Sequence, residues 1–287
     1  MKRELIADLL LCFILLIFCG QLVGQTAELQ WEQIYGSGQF GNTPLTPFDY
    51  QADANGNIYI LSRAENPNGV LVILVSKFNS GGAQIWQKFI EVEPNTVHTL
   101  KGMAFDADQN VLILGSVQLY PTQSESDIPF LIRLNPAGEI TDRKLFADII
   151  QSLALSTLKF VVDSQNNIFL MKLAQSGTAF ESEIIIKKLS ADFTEIDSIV
   201  INDSQAFLDC SLQLDSDENI ILNYFLPGYT QPDPNHLKTT KISNNLEILW
   251  SNLDEIVLSG FDSVIDSENS IYTITTDLNP DSSMAGG

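Results

Sequence analysis

An all-β chain made of repeated four-stranded sheets is what this sequence predicts, and three observations predict it. The first is internal repetition. DANGNIYIL from Asp53, DADQNVLIL from Asp106, DSQNNIFLM from Asp163, DSDENIILN from Asp215 and DSENSIYTI from Asp266 share one pattern. Each has an Asp, three small or polar residues, Asn or Ser, then an apolar run, at spacings of 53, 57, 52 and 51 residues. The second is a basic marker in phase with the first. Lys77-Phe78-Asn79, Arg133-Leu134-Asn135, Lys188-Leu189-Ser190 and Lys241-Ile242-Ser243 follow the Asp positions by 24, 27, 25 and 26 residues, and Trp86, Asp142, Asp197 and Trp250 stand nine residues further on. The third is the texture of each period. VLVILVSKF at residues 70–78 is the near-continuous apolar run of a strand covered on both faces.

Within one period the strands can be placed. Met103–Asp106, Val111–Val117, Phe130–Asn135 and Ile140–Phe146 read as four β segments separated by turns rich in Asp, Asn, Pro and Gly. Residues 146–158 come nearest to a helical period and read as a loop. One four-stranded sheet cannot bury both faces alone, so the repeats must stack on one another, and stacking about an axis gives a β-propeller. The expected blades are 48–92, 101–147, 158–201, 208–253 and 261–277, about five in all. The last is incomplete. The N-terminal strand ELQWEQIY at 28–35, with Trp31 placed like Trp86 and Trp250, is a fourth strand without a blade before it and could complete the last one; otherwise the chain is a piece of a longer propeller. Residues 278–287 have the composition of a tail.

The chain opens with Lys2 and Arg3, a wholly apolar run from Leu9 to Phe18 and a small-residue end at Gly24, which is the plan of a secretory signal over residues 1–24. The apolar core is shorter than the ~20 residues of a membrane span, so no stable insertion is expected once the signal is cleaved. The destination is then outside the cytoplasm, in the periplasm, at the cell surface or in the medium. Leu16-Ile17-Phe18-Cys19 has the outline of a lipoprotein box, with Phe18 where a small residue is wanted. Cys12 and Cys19 leave with the signal, and Cys210 alone cannot form an internal disulfide. Fifteen Lys and Arg stand against 36 Asp and Glu, a formal net charge of −21. That charge repels nucleic acid and anionic lipid and leaves neutral sugars, cations and proteins as partners.

The Asp-x-x-x-Asn turn, the Lys-apolar-Asn marker and the following Trp resemble the secreted bacterial β-propeller repeats of the SBBP type and their PQQ-like relatives, over residues 28–277. The resemblance implies the fold; propellers host binding, scaffolding and enzymatic roles alike. Two departures stand out: the Gly that commonly ends the second strand is present only as Gly115, and Trp is missing from blades two and three.

No catalytic signature emerges. His98 and His236 are the only imidazoles, and there is no G-x-S-x-G, C-x-x-C or H-E-x-x-H. GSGQFG at residues 36–41 matches a dinucleotide fingerprint, but Asn42, Pro44 and Pro47 deny it the helix that would hold a pyrophosphate, so no cofactor is expected. The Asp turns imitate the start of a calcium loop but lack its later ligands, so no metal is assigned. In their place hairpin turns are expected, with Asn57, Asn110, Asn167 and Asn219 taking positive φ. Lys77, Arg133, Lys188 and Lys241 read as structural, with heads paired to acids or carbonyls. Cys210 shares the apolar face of LDCSLQL and reads as buried.

In a propeller the 1-to-2 and 3-to-4 turns share one face and the remaining connections the other. The second face carries the variable segments 91–101, 118–129, 173–182 and 226–237. Tyr120, Phe180, Tyr229 and His236 in these segments are the candidate ligand-binding residues, for a glycan or protein partner, because an aromatic face stacks on sugars or anchors a partner. An enzyme over the propeller channel, lyase-like or quinone-dependent, and a purely structural spacer are the alternatives.

Overall fold

The computed structural model describes residues 46–65, 70–92, 96–119, 128–147, 157–176, 181–203, 210–226, 235–256 and 261–275. Residues 1–24, residues 28–35 and Gly36–Gly41 lie outside them. The described residues form four antiparallel four-stranded sheets and one two-stranded sheet, each in simple sequence order. The first is β1 (Thr46–Ala52), β2 (Ile58–Glu65), β3 (Leu71–Phe78) and β4 (Gln84–Ile90). The second is β5 (Thr96–Phe105), β6 (Val111–Leu119), β7 (Ile128–Leu134) and β8 (Ile140–Leu145). The third is β9 (Thr157–Val162), β10 (Ile168–Ser176), β11 (Glu181–Leu189) and β12 (Glu195–Asp203). The fourth is β13 (Cys210–Leu214), β14 (Ile220–Leu226), β15 (Asn235–Ile242) and β16 (Ile248–Ile256), and β17 (Phe261–Ile265) with β18 (Ile271–Thr275) makes the last. The first strands lie side by side, β1 against β5, β5 against β9, β9 against β13 and β13 against β17. These are the blades of a β-propeller, with the first strands innermost.

Blade stacking explains the lost alternation. β7 is buried at every position, because one set of side chains meets the preceding blade and the other set the next. Val111 and Ile113 pack with Tyr59 and Leu61 of the first blade. Leu112 and Leu114 pack with Ile168 and Leu170 of the third. Cys210 is buried among Leu212, Leu222 and Met171 between the third and fourth blades. β5 begins earlier than expected, at Thr96 rather than Met103. A bulge between Leu100 and Gly102 lets the strand run back into residues assigned to the 91–101 connection, so pairing with β6 runs on to Leu119.

One turn closes every described 1-to-2 and 3-to-4 hairpin, nine in all, each five residues long. Its first residue donates N–H to the carbonyl of the fifth, and the fourth donates back to the first, as in Asp106 with Asn110 and Gln109 with Asp106, both 3.0 Å. The left-handed residue is therefore the fourth: Gly56, Gln109, Asn166, Glu218 and Asn269 in the Asp turns. This corrects the expectation that Asn57, Asn110, Asn167 and Asn219 carry positive φ. Those Asn residues are kept for their side chains: Asn57 Nδ2 donates to Asp53 Oδ2 at 2.8 Å, and Asn110 and Asn167 do the same at 2.9 and 2.8 Å. The other Asp oxygen accepts the third and fifth backbone N–H groups, at 3.0 and 2.9 Å for Asp106.

The fourth residue also links blades. Side chains of Gln109, Asn166, Glu218 and Asn269 accept from the backbone N–H of Ala54, Ala107, Ser164 and Ser216 in the preceding blade, at 3.4, 2.7, 2.7 and 2.8 Å. This offsets the roughly 1–2 kcal/mol cost of a left-handed non-glycine residue. In the 3-to-4 turns the same position is Gly82, Gly138, Phe193 and Leu246. Gly138 lies under the Trp86 ring, whose Nε1 donates to the Pro136 carbonyl at 3.0 Å. Where strand four instead carries Asp142 or Asp197, the next turn carries Phe193 or Leu246, both buried, and fills the space itself. The absence of Trp from blades two and three is thus compensated one blade on.

The repeated basic residues are latches. Lys77 pairs with Asp53 at 3.8 Å and reaches the Pro136 carbonyl of the next blade at 3.4 Å. Arg133 pairs with Asp106 at 3.3 Å and Asp142 at 2.8 Å and donates to the Ala191 carbonyl. Lys188 donates to the Asn244 carbonyl at 3.0 Å, while Asn244 Nδ2 donates to Asp163 at 3.1 Å. Lys241 pairs with Asp215 at 2.6 Å.

Candidate functional site

Antiparallel order puts all nine five-residue turns on one face of the blades and the remaining connections on the other. Those connections span 4 to 11 residues, from 177–180 and 257–260 to 146–156. They are shorter than expected from the sequence, because β5, β6, β7, β10, β11, β14 and β15 each extend into the segments assigned as loops. Tyr120, Phe180 and Tyr229 lie outside the described residues. His236 is described, and not as a loop residue. It is the second residue of β15, half-buried, paired with Leu226 on one side and Glu255 on the other. Its backbone is held between two strands, so it sits beneath this face and not on a free loop.

Just below the same face the structure buries polar groups that the sequence analysis passed over. Each second strand interrupts its apolar run before it ends: Ser62-Arg63 in β2, Ser116 in β6, Lys172 in β10 and Asn223 in β14. In a strand sandwiched between blades such an interruption has to be buried, and that signal was available. Ser116, Lys172 and Asn223 are all buried. Burial lowers the Lys172 pKa below its ordinary value, and the Glu183 carboxylate opposes the shift.

Asn223 anchors a polar cluster between the fourth and last blades. Its Nδ2 donates to Ser263 Oγ at 3.1 Å and Ser211 Oγ at 3.3 Å, the two hydroxyls meet at 2.5 Å, and Gln213 Nε2 donates to Ser263. Asn223 Oδ1 is buried with no partner among the described residues.

Between the first two blades the arrangement is cationic. Arg63 shares its strand face with Tyr59 and Leu61, and His98 shares its own with Leu100 and Val117, the residues that fill this interface. His98 is 4% exposed. Its pKa is lowered by burial first and by the Arg63 charge second, against a hydrogen bond to the Val72 backbone. Arg63 Nε and His98 Nε2 are both buried without a hydrogen-bond partner among the described residues. The other described arginines are engaged, Arg133 as above and Arg143 with the Val92 carbonyl at 2.8 Å.

The lowered His98 pKa fixes the sign of a pH effect. The unfolded chain takes up the proton near the ordinary value of 6.5, before the folded one does, so stability is intact above that pH and falls as pH drops through the interval below it. Asp53 and Asp215 titrate lower: burial raises their carboxyls, but Asn57, Asn55 and Lys77 for Asp53, and Lys241 and Asn219 for Asp215, bring them below 3.8. Thermal midpoints should therefore fall in two stages, and His98→Gln should flatten the first between pH 7 and 5 while leaving the second. An unchanged profile in that variant would contradict a buried neutral imidazole.

Among the described residues no three His, Cys, Asp or Glu side chains converge as metal ligands, and no helix is long and apolar enough to cross a membrane. No protein-family profile matches the chain, and no curated protein matches its sequence. Two solved structures are similar in shape. One is an endo-arabinase from Bacteroides thetaiotaomicron, at 11% identity and a TM-score of 0.45, with 79% of this chain and 87% of that chain covered. The other is an ulvan lyase of polysaccharide lyase family 25, described bound to a glucuronate–sulfated rhamnose unit, at 11% identity and a TM-score of 0.42, with 74% of this chain covered and about half, 51%, of that chain. Both are what this chain is similar to in outline, at levels that leave its own residues to be judged on their geometry.

Proposed function

We propose that this is an exported propeller that binds a glycan through the face carrying its variable connections. The observation that supports the reading most is the contrast between the faces. On one, nine five-residue turns repeat a single hydrogen-bond scheme and spend their side chains on holding blades together. On the other, connections vary in length above a layer of buried polar groups, which is where a rigid frame leaves sequence free for recognition. Tyr120, Phe180 and Tyr229 lie in the 2-to-3 connections of three successive blades, and His236 lies at the foot of the fourth blade's connection. Flat aromatic surface at such positions suits the apolar faces of sugars.

Glycan-array capture by the chain lacking residues 1–24 tests this. The double variant Tyr120→Ala/Tyr229→Ala should lose roughly tenfold in affinity, the scale of one or two aromatic anchors. Asn55→Ala, an exposed position on the turn face, should change nothing. Equal capture by the double variant and the parent would remove the variable face from consideration.

A further inference from the structure

The innermost strands of the first two blades depart from the repeat at one step. Five residues before the Asp that opens each 1-to-2 turn stand Phe48, Lys101, Leu158, Cys210 and Phe261. In the third and fourth blades the strand passes this step without a break in register, and Leu158 and Cys210 are packed into the seams, 2% and 4% exposed. In the first two blades the step is a bulge, between Pro47 and Asp49 in β1 and between Leu100 and Gly102 in β5. A bulge takes its extra residue out of the alternation of faces, so Phe48 and Lys101 are released from the seam. Phe48 is 48% exposed, and Tyr50, two residues on, is 77% exposed. The two bulges are tied to each other: Asp49 Oδ2 accepts from the Met103 N–H at 2.9 Å, while its Oδ1 accepts from the Tyr50 N–H at 2.8 Å. On the next innermost strand, β9, Lys159 follows Leu158 and is exposed. Lys101 and Lys159 make no ion pair or hydrogen bond among the described residues.

Exposed aromatic surface on β1 is thus followed by a lysine on β5 and another on β9, strands that lie side by side. The chemical complement is a chain of rings that carry acid groups. We infer that Phe48, Tyr50, Lys101 and Lys159 form a subsite for an anionic polysaccharide, its sugar faces stacking on the aromatics and its carboxylate or sulfate groups taking the two ammonium groups. Asp and Glu outnumber Lys and Arg by 36 to 15, yet these two lysines stand on neighbouring strands without a carboxylate partner. The one carboxylate on β1, β5 and β9 is Asp49, and it is spent on two backbone N–H groups. The overall negative charge does not forbid such a ligand, because charges farther than about 8 Å are screened at physiological ionic strength. The inference rests on the glycan reading above, narrows it to anionic glycans and adds the innermost strands to the binding surface.

Calorimetry on the chain lacking residues 1–24 compares an oligogalacturonate, a sulfated galactan oligosaccharide and a neutral galactan oligosaccharide of equal length. At least one acidic probe should bind about tenfold or more tightly than the neutral one, the scale of one charge-assisted contact, and should lose that advantage as salt is added. Which acidic probe leads tells carboxylate from sulfate. Lys101→Gln/Lys159→Gln should weaken the acidic probe about tenfold or more, whereas Lys101→Arg/Lys159→Arg should keep it, and Phe48→Ala/Tyr50→Ala should weaken it by a similar factor. Circular dichroism checks the fold of each variant. Equal binding of acidic and neutral probes, acidic binding unchanged in Lys101→Gln/Lys159→Gln or in Phe48→Ala/Tyr50→Ala, or no response to any probe overturns the subsite. Capture of neutral glycans alone, lost in Tyr120→Ala/Tyr229→Ala, overturns it too while leaving the proposed binding face in place. Acidic binding that needs Lys101 and Lys159 but survives Tyr120→Ala/Tyr229→Ala has the reverse meaning: the subsite stands and the aromatic face of the variable connections falls.

Discussion

Replacing Asp106 by Ala is expected to lower the unfolding free energy by about 3–5 kcal/mol, the scale for stripping one partner from a buried ion pair. Asp106 and Arg133 are both largely buried. The carboxylate does three things at once: it receives the N–H groups of Asp108 and Asn110, receives the Asn110 amide, and faces the Arg133 guanidinium. Without it the turn loses its internal acceptor and Arg133 keeps Asp142, the Ala191 carbonyl and the Phe193 ring. Urea unfolding measures the loss. The double variant Asp106→Ala/Arg133→Met should cost less than Asp106→Ala alone, because the stranded charge is gone. A single-variant loss under about 1 kcal/mol would mean that the latch contributes little and that packing alone holds the blades.

Gly115→Ala is the second large effect. A Cβ at this position would run into the Phe130 ring and come within 2.8 Å of the Thr99 carbonyl oxygen. The ring is the far end of a side chain, but it is fully buried in the interface between the first two blades, and the carbonyl belongs to β5 itself, so neither can yield cheaply. Overpacking of this kind costs about 3 kcal/mol, with a backbone obstacle at the upper end of the range. The neighbouring position serves as a control: Ser116→Ala changes volume without a clash and should cost less. Comparable stability of Gly115→Ala and the parent would show that the blades can separate locally without penalty. Gly115 was noticeable in the sequence as the one retained member of a recurring Gly; its reason, a neighbouring ring crossing the strand, was not.

The same division between visible and hidden runs through the molecule. Asp turns, basic latches and their phase were legible because each demands a particular side chain at a particular step, so repetition exposes it. The left-handed residue was misplaced by one position because Asn at the fifth place is chosen for its amide, while the fourth place accepts Gly, Gln, Asn or Glu and so shows no pattern. Strand ends were set short at the segments assigned as connections: the bulge at Leu100 and Gly102 lets β5 run back into one of them, and His236 is held in β15 by pairing on both sides. That Arg63 and His98 meet went unremarked for another reason. They come from β2 and β5, 35 positions apart in the chain. Only the face each strand turns toward the next blade brings them together, and that depends on a register the sequence does not display.

The latches have one further consequence. Lys77 and Arg133 each bridge an acid of their own blade to a carbonyl of the following one, while Lys188 reaches Asn244 of the following blade and Asn244 returns to Asp163; none of these contacts goes beyond the next blade. Gene duplication or loss of a whole unit would therefore rejoin compatible ends, since each of these three seams joins a basic residue to a carbonyl at the same step of the next unit. Such a chain can change its number of units over evolutionary time while the chemistry of the seams stays constant, and the connections above them drift independently.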